Sequence, residues 1–180
     1  MFPRLETERL IMREWREGDL EVFAKIFADA EAMRFLTGTA MSRVDAWRFM
    51  ANSAGHWYLR GYGTWVLERK SDGAVLGRVG LINPDGWPGL EVGWTLDRHY
   101  WRQGYATEAA EATLNYGFLT QGVDRLISLI DPENKPSQAV ARRIGETQGP
   151  EYSLDFMGHT HHCHIWSITR EEWRKRAVLP

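Results

Sequence analysis

The chain has 180 residues, 43% of them hydrophobic and 26% charged, a globular rather than a disordered composition and long enough to bury roughly 70% of its unfolded surface around one core. Its 22 Lys and Arg against 24 Asp and Glu leave a formal charge of −2, which argues against duplex nucleic-acid binding through a basic face. A lone cysteine, Cys163, excludes an internal disulfide, and no run approaches the ~18 apolar residues of a membrane span.

Met1–Trp15 is charged throughout where a signal peptide needs an apolar stretch. The expectation is a soluble, cytoplasmic protein with one domain spanning 1–180. Arg9–Trp15 alternates and predicts a strand. Asp19 reads as the N-cap of a helix with Val22, Phe23, Ile26 and Phe27 on one face, ending near Ala30. Ser42-Arg-Val-Asp45 is a second capping signature, with Trp47, Met50, Ala51, Ala54 and Tyr58 as the expected buried stripe. Strands follow at Gly63–Lys70, Ala74–Ile82 and Leu90–Leu96, the first two joined by the turn Ser71-Asp72-Gly73 and the last two by the loop Asn83–Gly89. They predict an antiparallel meander.

Thr107–Leu119 returns to helical spacing, with Ala110, Leu114, Gly117 and Phe118 on one face. Arg125–Ile130 reads as a strand and Ser137–Ile144 as a short helix ended by Gly145. Two last strands are expected at Tyr152–Met157 and His162–Ile168, and Thr169-Arg-Glu-Glu172 is a capping box for a closing helix with Trp173. The order is that of an α/β (α+β) protein built on a mixed sheet. No repeat or linker interrupts it.

The segment from Leu90 to Thr107 carries most information, a strand running through a short loop into a helix. Gly104 and Ala106 leave room for a ligand against bare backbone, and the first helix amides lack internal acceptors at the positive end of the dipole. Such a joint binds a pyrophosphate without a Lys. It also occurs as an ordinary strand-to-helix connection. It is neither G-x-x-x-x-G-K-[ST] nor G-x-G-x-x-G.

Trp101-Arg-Gln-Gly-Tyr-Ala-Thr-Glu-Ala109, preceded by Glu91-Val-Gly-Trp94, resembles the acetyl-CoA signature of the GNAT superfamily of N-acetyltransferases. Thr7-Glu-Arg-Leu10 and Asn134-x-x-Ser137-x-x-Val140 are similar to its ribosomal-protein-alanine N-acetyltransferase-like branch. The resemblance implies a mostly antiparallel central sheet, splayed at its middle, with helices on both faces. It implies that amides of Arg102, Gln103, Gly104, Tyr105, Ala106 and Thr107 hold the pyrophosphate of acetyl-CoA. The backbone of Trp94, Thr95 and Leu96 would pair with the pantetheine arm, and Asn134 would bond it from the other side. The chain departs from the pattern at Trp101, usual only in this branch, at Ala141, where many relatives carry a Tyr acid, and at Glu146, where an aromatic usually stands.

Transfer to an amine needs a neutral amine, so a carboxylate near the acceptor serves as base. Glu91, on the strand before the cofactor loop, is the candidate, and also the family's frequent base. A solvent-facing strand Glu is the plain alternative. Gly93 keeps space on the same face, or marks a bulge. A strand amide near Val92–Trp94 would steady the negative charge that gathers on the thioester oxygen. Ser137 would hydrogen-bond or protonate the departing sulfur, or merely start a helix.

Gly158-His-Thr-His-His-Cys-His164 holds donors enough for zinc, but alternate residues of an extended segment face apart. No metal is expected. That leaves the role of His159, Cys163 and His164 open, with the tip of the last hairpin touching the acceptor as one reading. Trp47, Trp57, Trp65, Trp94, Trp166 and Trp173 read as core and Trp87 as exposed, a mark of a dimer contact or an acceptor pocket. The expected activity is acetyl-CoA-dependent transfer to a primary amine by direct attack, a protein N-terminal α-amine being favoured by the branch and a small-molecule amine remaining open. Met33–Met41 and the last hairpin would form the acceptor entrance. A non-catalytic acyl-CoA-binding module is the rival from another class. A homodimer stays open.

Overall fold

The computed structural model describes residues 2–156 and 159–178. Two short strands, β1 (Leu5–Glu6) and β2 (Leu10–Arg13), form the first edge of the sheet, β1 being an addition to the predicted set. A 3₁₀ turn at Glu17–Asp19 leads into α1 (Leu20–Ala28), then α2 (Ala30–Met33) and α3 (Arg43–Arg60). The meander β3 (Thr64–Arg69), β4 (Val75–Ile82) and β5 (Glu91–Leu96) follows in antiparallel register. A 3₁₀ turn at Arg98–Tyr100 precedes α4 (Tyr105–Leu119), β6 (Arg125–Ile130), α5 (Lys135–Arg143), β7 (Thr147–Phe156), β8 (His159–Thr169) and α6 (Arg170–Val178). Met157 and Gly158, at the expected hairpin tip, lie outside the described residues.

All eight strands form one sheet in the order β1-β2-β3-β4-β5-β6-β8-β7. Every neighbouring pair is antiparallel except β5 with β6. Helices cover both faces. Ala110, Leu114 and Phe118 of α4 pack with Val79, Leu81 and Val92 on one, and Phe23, Phe27 and Met50 pack with Val66 on the other. Among the described residues no helix is long and apolar enough to cross a membrane.

Two local expectations are corrected. The buried face of α3 is Ala46, Met50, Ser53 and Trp57. Trp47 is 55% and Tyr58 92% exposed, and Ala51 and Ala54 face outward with them. Both stripes keep helical spacing, so periodicity could not choose between them. Trp57 wins because its indole N–H reaches the Thr64 carbonyl at 2.9 Å and its ring meets Trp65 edge-on. Asp19, in turn, does not cap α1. Its carboxylate accepts from the buried Arg13 guanidinium at 2.7 and 2.9 Å and from the Arg16 N–H at 2.8 Å. The other caps form as read: Ser42 accepts from the Asp45 N–H at 3.1 Å, and Glu172 accepts from the Thr169 N–H at 2.8 Å.

Candidate active site

The parallel pair decides where the site lies. β5 and β6 meet in register only at Glu91 and Ile127, with the Ile127 N–H donating to the Leu90 carbonyl at 3.0 Å. Beyond that point side chains replace the backbone ladder. The Leu129 N–H donates to Glu91 Oε1 at 3.4 Å, and the Ser128 hydroxyl donates to the Val92 carbonyl at 2.8 Å. Past these two bonds the strands part. Backbone groups alternate direction along a strand, so Trp94 and Leu96, in phase with Val92, face the opening, although the Leu96 carbonyl already accepts from the Trp101 indole at 2.8 Å. Thr95 is paired with Arg78 on β4, so its backbone turns away from the slot and only its side chain lines the cleft. Of the three residues whose backbone was expected to meet the pantetheine arm, Trp94 and Leu96 thus face the opening and Thr95 faces β4.

The opening continues into a cleft of about 1870 Å³, well above the ~300–1,000 Å³ of a single small-ligand site and therefore large enough for two substrates side by side. Glu91, Trp94, Thr95, Leu96, Arg102, Gly104, Tyr105, Ala106, Thr107, Asn134 and Ser137 all line it. Gln103 does not. Its amide side chain donates to the His99 carbonyl at 2.9 Å, and its own carbonyl accepts from Arg9. The side chains of Phe35 and Phe49 from the helical side, and of His161 and Cys163 from β8, complete the walls.

α4 starts at the slot's mouth. Gly104 is its N-cap at φ +83°, with no side-chain cap. A missing cap leaves first-turn amides to be satisfied by a ligand or water. Arg102 also has a positive φ of 60°, which curls the loop so that consecutive amides converge. A latch from β1–β2 holds this loop. The Arg9 guanidinium pairs with Glu108 at 2.6 Å, donates to the Gln103 carbonyl at 2.9 Å and lies 4.3 Å over the Tyr105 ring. The Thr7 hydroxyl and the Arg9 N–H also donate to Glu108, at 2.5 and 2.8 Å. Burial pushes the Glu108 carboxyl up, but Thr7 and Arg9 together hold it below the usual range. Sequence reading found Thr7 and Arg9 only as a family pattern, because nothing local ties them to a residue some hundred positions away.

Glu91 is buried, not solvent-facing. Burial pushes its carboxyl up to about 7, against the opposing pull of the Trp87 indole, the Leu129 N–H and the Arg78 charge. Trp87, expected to be exposed, is half-buried and donates its indole N–H to Glu91 Oε2. Gly93 makes no bulge, because the β4–β5 register runs unbroken through Gly80–Gly93. A Cβ there would stand 3.8 Å from Glu91 Oε1, so the glycine leaves the carboxyl uncovered.

Glu146, where the family pattern usually has an aromatic, is a second buried carboxyl. Burial pushes it up to about 8, with the Glu91 charge adding to the rise. A hydroxyl carries one proton, and Ser128 gives its proton to Val92. The 3.0 Å contact between Ser128 and Glu146 Oε1 therefore takes the carboxyl's own proton, so a neutral Glu146 donates to Ser128. The folded state holds protons on both acids that an unfolded chain has released above about pH 4.5, so stability falls as pH rises from there towards 8. Glu146→Gln keeps the donor and removes the ionisation. It should flatten the fall in Tm between pH 6 and 9, leaving the variant on the order of 5 °C above wild type at the alkaline end. A pH series of thermal melts checks this, and parallel curves would remove Glu146 from the titration.

Ser137 sits in the first turn of α5, behind its Asn134 cap, whose side chain accepts from the Ser137 N–H at 3.2 Å. The Trp94 indole donates to Ser137 Oγ at 3.2 Å, which leaves the hydroxyl proton to point elsewhere. Ala141, one turn on and on the same face, is fully buried with Ile130 and Trp166. The histidine segment is a strand. His162 meets Ser153 at 3.0 Å and His164 meets the Gly149 carbonyl at 3.3 Å, while Cys163 donates to the Tyr152 carbonyl and burial pushes its thiol up to about 11. Among the described residues no three His, Cys, Asp or Glu side chains are grouped to hold a metal.

Comparison with known proteins shows likeness in both sequence and fold. The family described as acetyltransferase (GNAT) domain matches residues 9–147. The uncharacterized protein YkkB of Bacillus subtilis is 33% identical over 147 residues, 79% of this chain and 84% of that one. The uncharacterized N-acetyltransferase YnaD of the same organism is 30% identical over 141 residues, 78% and 81% of the two chains. The crystal structure of an acetyltransferase from Agrobacterium tumefaciens superimposes with a TM-score of 0.82 at 26% identity, covering 94% of this chain and 96% of that one. The fork between β5 and β6, the loop at Gly104 and the match across most of the chain agree, and the protein belongs to the GNAT family of N-acetyltransferases.

Proposed function

We propose that the protein transfers the acetyl group of acetyl-CoA to a primary amine by direct attack, with Glu91 as base. The observation that carries this reading is the coincidence, at one point, of the fork in the sheet and a buried carboxyl held near neutrality. The first-turn amides at Gly104, Tyr105, Ala106 and Thr107 would receive the diphosphate, with Arg102 in the curled loop before them; Gln103 could take part only through its N–H. The backbone of Trp94 would pair with the pantetheine amides in the slot, and Asn134, its carbonyl already used as a cap, would offer its NH₂ group. Acetyl-CoA supplies the activated acyl group, and the chain's own residues manage protons and position. Glu91 takes the proton of the attacking amine, a step that goes best when the base titrates near working pH. Ser137, steered by the Trp94 indole, donates to the departing sulfur in place of the absent Tyr at Ala141.

No covalent acyl-enzyme is needed. Cys163 is buried and holds its proton far above neutral pH, which disfavours it as a nucleophile. The acceptor approaches from the helical side, past Phe35, Phe49 and Trp87. The branch resemblance favours a protein N-terminal α-amine, and a small-molecule amine is the second reading, supported by the depth at which Glu91 is buried. The test is thiol release from acetyl-CoA over N-terminal peptides, amino acids, polyamines and aminoglycosides. Turnover of at least one class is the expected outcome. Tight coenzyme binding with no release across the panel would instead favour a binding module.

A further inference from the structure

Arg78 stands on β4, 4% exposed, and lines the helical side of the cleft. Its guanidinium lies 4.7 Å from the centre of the Phe49 ring. Its Nε is buried with no hydrogen-bond partner, and no ion pair among the described residues includes it. The contrast with Arg13 is plain. Arg13 is equally buried but clasped by Asp19 and Glu68, each at 2.7 Å. Two exposed arginines on the helical side of the cleft are engaged as well, Arg48 with Asp45 at 3.1 Å and Arg34 with Glu31 at 4.0 Å. Buried charges are ordinarily paired, and Arg78 is the buried one left open toward the cleft.

The opposing charge that Arg78 feels is that of Glu91. The β4–β5 register pairs Ile82 with Glu91 and Arg78 with Thr95, so Arg78 and Glu91 project from the same face, four residue steps apart along the strands. Between them lies the pair Gly80–Gly93, which carries no side chain. The two groups thus flank a bare strip of sheet, with the Phe49 ring beside Arg78 and the Trp87 indole bound to Glu91. Burial draws the Arg78 guanidinium down to about 10, and the Glu91 charge only partly offsets this, so Arg78 remains a cation at neutral pH. Glu91 is a poor permanent counter-ion. It is half protonated near pH 7, and as base it must gain and lose a proton in each cycle.

We propose that Arg78 is the anion-binding group of the acceptor site, and that the acceptor is an amine that also carries a carboxylate, lying across the Gly80–Gly93 strip with its amine at Glu91 and its carboxylate on the guanidinium fork. The planar fork of the two terminal nitrogens, which unlike Nε are not shut off from the cleft, matches a carboxylate through two parallel hydrogen bonds. This rests on the acetyltransferase reading and narrows its substrate class. The carboxylate comes either from a free amino acid or from an acidic side chain near a peptide N-terminus. The chemistry recognised is the same.

The experiment has a binding arm and a turnover arm. In the first, the protein saturated with CoA is titrated calorimetrically with N-acetylphenylalanine and with N-acetylphenylalanine amide, chosen because aromatic rings line that end. The carboxylate form should bind about tenfold or more tightly. Arg78→Gln should erase the difference and Arg78→Lys restore part of it, with CoA affinity unchanged. In the second, kcat/KM is compared for phenylalanine against phenylalanine amide, and for Ala-Asp against Ala-Asn peptides. The pair showing the larger charge preference identifies the source. Equal binding of acid and amide by the wild type overturns the proposal even if no Arg78 variant folds, and so does a preference that survives Arg78→Gln. Absence of CoA binding, measured separately, would sink the acetyltransferase reading instead.

Discussion

Glu91→Gln lowers kcat/KM for the amine by ~10²–10³-fold at pH 8, within the usual range for loss of a general base, and the deficit shrinks as the pH falls. The sign follows from the site. Burial holds the Glu91 carboxyl near 7, so below that pH the wild-type base is itself protonated and has little advantage to lose. Above it, Glu91 is ionised while an α-amine, with a pKa of about 7.7–8.0, or a lysine-like amine near ~10.4, still carries its proton. The wild-type profile should therefore rise through about pH 7, and the variant should lack that limb and follow only the amine's own titration. Gln accepts from the Trp87 indole as Glu does, so the loop over the site stays anchored. Thiol release measured from pH 5.5 to 9.5 for both proteins checks this. A variant that kept the limb near 7 would take Glu91 out of proton transfer.

Gly104→Val raises the KM for acetyl-CoA by about 10–100-fold while altering kcat at saturation much less. The residue sits at φ +83°, where a β-branched side chain is disfavoured by clash with its own backbone. A Cβ would also come within 3.2 Å of Arg9 Nη2, disturbing the arginine that holds the loop through Glu108 and Gln103. The loop would relax toward negative φ and swing its amides out of register, so the loss falls on binding rather than on proton transfer. The thermal stabilisation that CoA confers on the wild type should be largely absent in this variant, since ligand protection scales with occupancy. Gly104→Ala should show the same effect at smaller size. Unchanged KM and undiminished protection would move the diphosphate elsewhere.

The two variants rest on different kinds of legibility. Gly104 was readable because its signal is local: a glycine before a helix, next to small residues, within one short stretch. Glu91 was readable only as a residue type at a family position. On the bare strand pattern it was as well a solvent-facing carboxylate, and its burial depends on β6, whose Leu129 N–H it accepts, and on a loop that folds Trp87 over it. Glu146 stood out only as a departure from the family pattern, and Arg78 gave no signal at all. A charged residue in an alternating segment reads as the wet face of a sheet, and here both faces are covered by helices.

What the chain order and periodicity determined alone was the succession of elements apart from the short β1 and α2, the antiparallel meander, the two capping boxes and the helix that opens behind Gly104, all set by interactions within a few residues. The tertiary structure decided the rest. It chose which of two equivalent stripes on α3 is buried, brought Thr7 and Arg9 onto Glu108, and parted β5 from β6 just beyond Glu91. It also left one buried arginine facing the cleft unpaired. Those outcomes depend on what lies across the sheet, and desolvation, which tunes both acids and exposes the need of Arg78 for a partner, is a property of the packed interior that no local pattern contains.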